Sequence, residues 1–225
     1  MTNWRGLIRV GAWSGLISVA VIVLQIIVFI AWPPPETAVQ YFELLNENPL
    51  RGLLTLDLLY VVSNLLTYLF YLSLAAFLWR ASRSAVVIAM AMGTLGMAAY
   101  MASLKPVEML QLAHQYAVAD EVAKPALLAV GESLLASWEG TAFDAYYVLN
   151  FVALVIFAIL AFRSGLLGRT TAIFGLAAAV LMAVPSNFGI VGLMFALASL
   201  IPWSAFAVMA SLRMLKHGDL HPVEN

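Results

Sequence analysis

Two aspartates are the residues of this 225-residue chain best placed to do chemistry, Asp57 and Asp144. Each lies in an otherwise apolar run, where an ionisable side chain is costly and commonly marks a functional position. Their contexts match. Asp57-Leu58-Leu59-Tyr60-Val61 parallels Asp144-Ala145-Tyr146-Tyr147-Val148, and an asparagine follows each, Asn64 and Asn150. At helical spacing Tyr60 and Asn64 lie near the face of Asp57, and Tyr147 near that of Asp144. Tyr68 and Tyr71 extend the first stripe. Two such stripes, facing each other at similar depth, could line an outward-opening pocket for a small or lipidic ligand. The same residues also have a purely structural reading. An aspartate near a helix N-terminus complements the helix dipole, and tyrosines at that depth are ordinary residues of the interfacial belt. On the sequence alone both readings stand.

The run Pro185-Ser186-Asn187-Phe188-Gly189 breaks an apolar stretch. Ser186 or Asn187 can cap the helix that follows, whose free N–H groups would then face the outer side, as in broken transporter helices. A tight turn is the simpler and favoured reading. With Asn187 added, the ligand-binding candidates are Asp57, Tyr60, Asn64, Asp144, Tyr147, Asn150 and Asn187.

Other chemistries lack their residues. There is no cysteine, hence no thiolate metal site, iron–sulfur cluster or thiol nucleophile. His114, His217 and His221 all fall outside the apolar runs, which argues against haem ligation and zinc hydrolysis within a membrane. No lysine lies mid-run to form a Schiff base. Gly131-Glu132-Ser133-Leu134 falls short of a nucleophile elbow, and no Walker-type glycine loop occurs. The net charge of −1 gives no sign of nucleic-acid binding. The expectation is a protein without metal or cofactor that is not an enzyme. A carboxylate-based enzyme would need a third polar group converging on the two aspartates.

The elements that position these residues follow from composition. Hydrophobic residues make up 64% and charged residues 10% of the chain, against roughly 45–50% and about 25% in a soluble domain. The excess must face lipid. The chain therefore reads as all-α, one integral membrane domain of six transmembrane helices. The expected spans are 7–32, 50–79, 85–104, 141–162, 170–184 and 189–215. Residues 36–46 read as a short amphipathic helix with Phe42 and Leu45 facing the membrane. The outer segment 105–140, between helices three and four, reads as amphipathic and helical. In its second helix Leu127, Leu128, Gly131, Leu134, Leu135 and Trp138 share one face, suited to the membrane interface or to capping the bundle. Residues 216–225 form a polar tail. Ala89, Gly93, Gly96 and Met97 on span three, with Gly175, Ala178 and Ala179 on span five, allow close helix approach.

Orientation follows from the basic residues. With the N-terminus inside, the inner segments hold Arg5, Arg9, Arg80, Arg83, Arg163, Arg169, Arg213 and Lys216, and the outer ones only Arg51, Lys105 and Lys124. That is a positive-inside pattern with both termini cytoplasmic. The outer segments are acidic, with Glu36, Glu43, Glu47, Glu108, Asp120, Glu121, Glu132 and Glu139. Trp32, Trp79, Trp138 and Trp203 read as aromatic-belt residues.

The second half carries the run Gly140-Thr141-Ala142-Phe143-Asp144-Ala145-Tyr146-Tyr147-Val148-Leu149-Asn150. It is followed by Val184-Pro185-Ser186-Asn187, Gly189 and Leu200-Ile201-Pro202-Trp203. In these runs, in its length and in its acidic outer segment the chain resembles a bacterial family of multi-pass membrane proteins, domain of unknown function 4386. The resemblance implies a six-helix protein of the bacterial inner membrane and supplies no catalytic residues. Two functional classes follow: a protein that binds or moves a small or lipidic ligand from its outer side, in contact with membrane lipids, and an accessory protein acting through partner helices or as an oligomer.

Overall fold

The computed structural model describes residues 4–217. The expected polar tail falls mostly on 218–225, outside the described residues, as does His221. Among the described residues all regular structure is helical, in ten helices: α1 (Arg5–Ala31), α2 (Ala38–Glu47), α3 (Pro49–Thr55), α4 (Leu58–Leu78), α5 (Arg83–Ser103), α6 (Pro106–Val118), α7 (Lys124–Trp138), α8 (Thr141–Ser164), α9 (Arg169–Met182) and α10 (Gly189–His217).

Six of these form a closed ring in chain order. α1 packs on α4, α4 on α5, α5 on α8, α8 on α9, α9 on α10, and α10 returns to α1. Small residues set the close approaches. Gly11 lies against Ser73, Gly15 against Phe70 and Ser211, Gly93 against the Tyr71 ring, Gly96 against Asn150, and Gly175 against Phe206 and Ala158. A side chain at any of these glycines would hold the helices apart. The interior is apolar and aromatic, with Phe70, Tyr71, Leu74, Phe157 and Phe206 buried.

Five helical stretches are long and apolar enough to cross a membrane: Arg5–Ala31, Leu58–Leu78, Arg83–Val118, Lys124–Ser164 and Gly189–His217. The third and fourth take in α6 and α7. The other ring helix, α9, has 14 residues and is shorter. The outward faces are apolar, with Trp13, Ile27 and Ile30 on α1, Val87 and Leu95 on α5, and Ile190, Met194 and Ile201 on α10 all exposed. Such a surface is what lipid covers in a membrane protein.

The two ends of the ring differ in charge. Gly168 abuts the Arg213 guanidinium, so α9 begins where α10 ends. Ser73 Oγ lies 3.6 Å from Met214 Sδ, which sets the end of α4 at the same level, and Gly11 brings the start of α1 there. Arg5, Arg9, Arg80, Arg83, Arg163, Arg169, Arg213 and Lys216 therefore gather at one end. The first and last ring helices begin and finish at that end.

The opposite end carries a cap of α2, α3, α6 and α7 with its own core of Tyr41, Phe42, Leu45, Leu56, Met109 and Ala113. Thr37 and Gln40 form a capping box at the start of α2, and Glu132 of α7 accepts from the Ala38 N–H at 3.0 Å. Asn46 Nδ2 donates to the carbonyls of Phe42 and Ala113, both at 2.8 Å, tying α2 to α6. Phe42 and Leu45, expected to face the membrane, are fully buried here instead. Helices α6 and α7 supply the apolar partner they would otherwise have sought in lipid. In α7 Gly131 is buried and Leu127, Leu128, Leu134, Leu135 and Trp138 are half-buried, while Val130 and Ser133 are exposed.

One expected span is broken. Residues 50–79 do not form a single helix. The chain leaves α3 at Leu56, whose N–H is shared between the carbonyls of Gly52 and Leu53, and turns through Asp57 in the left-handed region, φ 63° and ψ 22°, before α4 begins. Aspartate tolerates that region better than most residues with a side chain. Gln25, buried in α1, donates to the Leu54 carbonyl at 3.4 Å, one of the acceptors that the break leaves without a helical partner.

Candidate functional site

The broken helix places Asp57 at the top of a cavity of about 250 Å3 within the ring, at the capped end. Its lining on α4 runs from Asp57 through Tyr60, Ser63, Asn64 and Thr67 to Tyr71, about 20 Å along the axis at 1.5 Å per residue. Met97 and Tyr100 enter from α5, and Phe143, Tyr146, Tyr147 and Asn150 from α8. The α1 and α10 walls are mainly apolar: Ile22 and Phe29 on one, Leu193, Ala196, Leu197 and Leu200 on the other. Leu193 and Leu197 remain 45% and 53% exposed. The upper part of α10 is thus a thin wall between the cavity and the surroundings of the bundle.

The polar groups converge at the upper end. Tyr100 OH donates to Asp57 Oδ2 at 3.3 Å. The Trp138 Nε1 of the cap is buried with no hydrogen-bond partner among the described residues. Among the described residues Asp57 has no cationic partner, and no lysine, arginine or histidine lines the cavity. Its charge reaches into the cap. Burial first, then the charges of Asp57 and Glu139, hold the Tyr41 phenol well above the usual tyrosine range.

Tyr146 OH donates to Asn64 Oδ1 at 3.0 Å, and Asn64 Nδ2 in turn donates to the Tyr60 carbonyl at 3.0 Å. Asn150 Nδ2 donates to the Tyr146 carbonyl at 2.9 Å. Asn150 Oδ1 is buried with no partner, an unmet acceptor of the kind that costs about 1–3 kcal/mol. Tyr147 OH donates to Ser186 Oγ at 3.1 Å, joining α8 to the α9–α10 turn. The rings form a continuous aromatic wall: Tyr100 to Tyr146 at 4.8 Å between centroids, Tyr146 to Tyr147 at 5.4 Å, Tyr147 to Phe143 at 5.2 Å and Phe143 to Tyr100 at 6.4 Å. Below, Tyr71 and Trp203 close the floor, 6.2 Å apart and edge-on. Trp203, expected in the interfacial belt, is 6% exposed. It lies midway along α10, far from either end.

Of the residues singled out in the sequence, Asp57, Tyr60, Asn64, Tyr147 and Asn150 line this one cavity. Asp144 and Asn187 stand beside it and bond each other. Asn187 Nδ2 donates to Asp144 Oδ1 at 2.9 Å and to the Glu139 carbonyl at 2.7 Å. They form a clasp between the start of α8 and the α9–α10 turn, so the two aspartates do not face each other across the pocket. Ser186 and Asn187 engage α8 and its approach with their side chains, and the first α10 hydrogen bond runs from Gly192 N–H to the Phe188 carbonyl, 3.2 Å. Tyr100 and Tyr146 were not singled out in the sequence. Tyr146 adjoins a named tyrosine, but Tyr100 has no signal beyond its place near the outer end of a span.

No family model, no curated protein and no solved structure matches this chain.

Proposed function

We propose that this chain is a six-span protein of the bacterial inner membrane, with its basic end in the cytoplasm, that binds or moves a small or lipidic ligand through the cavity at its outer end. The carrying observation is the cavity itself, which holds a buried carboxyl group, Asp57, with no basic side chain beside it among the described residues. An ionisable residue buried inside a membrane bundle is costly and commonly marks a functional position. The six-span count is supported by α9, which lies between α8 and α10 in the ring and begins at the basic end. A helix this short can cross where neighbours cover it and the bilayer thins around it. The orientation rests on the positive-inside rule. An amphipathic outer segment fits the inward face of α7. The proposed likeness to the 4386 family rests on the quoted runs of the second half. The role proposed is binding, without chemistry on the ligand.

Native mass spectrometry of the purified chain tests the reading. The expected result is a bound small molecule or lipid in the wild-type protein that is lost in Asn64→Leu, a substitution that removes a polar lining group. Retention of the same mass in that variant and in Asp57→Asn would place the ligand elsewhere. A bare protein mass that no added amphiphile changes would end the reading.

A further inference from the structure

The chemistry of the cavity names a ligand class. Resting on the binding role above, we infer that the cavity takes an organic ammonium group, with Asp57 as its counter-ion and the tyrosine wall as its cage. Three observations converge. First, Asp57 is the charged residue of the lining, and among the described residues no lysine, arginine or histidine stands there with it, so a cation from outside the chain would be its counter-charge. Second, Tyr100, Tyr146, Tyr147 and Phe143 form adjoining rings at 4.8 to 6.4 Å, beside that carboxylate. Aromatic faces attract ammonium ions, and cages of this kind hold quaternary ones. Third, the α1 and α10 walls are mainly apolar, from Ile22 and Phe29 to Leu197 and Leu200. They suit methyl groups or a chain attached to the nitrogen.

The unmet Asn150 Oδ1 adds an acceptor among the lining residues. The ammonium group could belong to a free amine or to a lipid headgroup. Access past the exposed Leu193 and Leu197 of α10 is open to either source.

The test uses the full chain in detergent or nanodiscs and follows thermal unfolding together with Trp fluorescence, since Trp203 forms the floor. Choline, a short-chain phosphatidylcholine and sodium chloride are compared at equal ionic strength. Beside them stands 3,3-dimethylbutanol, which has the shape of choline without its charge. Choline or the phosphatidylcholine is expected to stabilise the protein and bind about tenfold or more tightly than the neutral isostere. Asp57→Asn is expected to abolish that preference. Binding by choline alone assigns a free amine, and binding by the lipid alone assigns a headgroup. Equal binding of choline and the isostere overturns the ammonium assignment while leaving a ligand cavity. Stabilisation by sodium alone replaces it with a metal-ion site. No response to any of the four, with the native mass spectrum also bare, overturns both this inference and the binding role. The comparison of choline with its isostere needs no variant, so it decides the matter even if Asp57→Asn fails to fold.

Discussion

At the scale of single residues, small side chains decide how closely the polar groups meet. Gly96 leaves room for the Asn150 amide, and a Cβ there would run into it. Gly96→Ala should cost about 1–3 kcal/mol through overpacking, read as a lower unfolding temperature. Gly6 has open space around it, so Gly6→Ala should be neutral or stabilising by up to about 1 kcal/mol through helix propensity. Equal losses at both positions would show that the Gly96 approach is not specific. The clasp makes a second residue-scale prediction. Asn187→Ala strips Asp144 of its donor and should cost about 1 kcal/mol or more. It should leave any choline-induced stabilisation unchanged, because Asn187 and Asp144 lie beside the cavity. A lost ligand response in that variant would draw the clasp into the site.

At the scale of elements, the cap is a separate packing unit. α7 approaches α2 through Gly131, where a Cβ would meet the Phe42 ring and Ala38. Gly131→Leu should push α7 outward. Hydrogen exchange should then rise over 106–138 while α4, α8 and α10 keep their protection, since local units open with their own free energies. Uniform loss of protection would mean that cap and ring form one cooperative unit. Helix α3 and its break matter in the same way. The left-handed Asp57 ends one helix and starts another, so the carboxylate stands at a helix junction over the cavity. A continuous helix through residue 57 would turn the lining of α4 to a different face.

At the scale of the whole molecule, the charge distribution sets the expected orientation. The chain has no cysteine, so single introduced thiols report position without background. Val122→Cys, at an 88% exposed site in the cap, should react with a membrane-impermeant maleimide added to intact cells. Ala81→Cys, exposed at the basic end between α4 and α5, should react only after the membrane is permeabilised. The reverse pattern would invert the orientation, and labelling of both from one side would remove the ring as a membrane-crossing unit.

What the sequence determined by itself was governed by composition and period. Apolar runs, helix-ending Pro and Gly, and the spacing of arginines specify helices, turns and a polarity of charge without reference to partners. That is why α1, α5, α8 and α10 lie close to their expected bounds, and why Asp57, Tyr60, Asn64, Tyr147 and Asn150 could be singled out together. The tertiary structure decided everything that depends on which surface meets which. The break at Leu56–Asp57 carries no Pro or Gly at either position, and it exists alongside a Gln25 side chain on another helix that meets a freed carbonyl. Phe42 and Leu45 read as membrane-facing because an apolar helix face does not say whether lipid or protein will cover it. Asp144 shares the Asp-x-x-Tyr-Val pattern of Asp57, yet its partner Asn187 is 43 residues away and only folding brings the pair together. Tyr100 joined the site for the same reason: its neighbours Asp57 and Tyr146 lie on helices that precede and follow its own. Local sequence dictates where a helix can form, and long-range contact alone dictates which of its faces becomes a wall of the cavity.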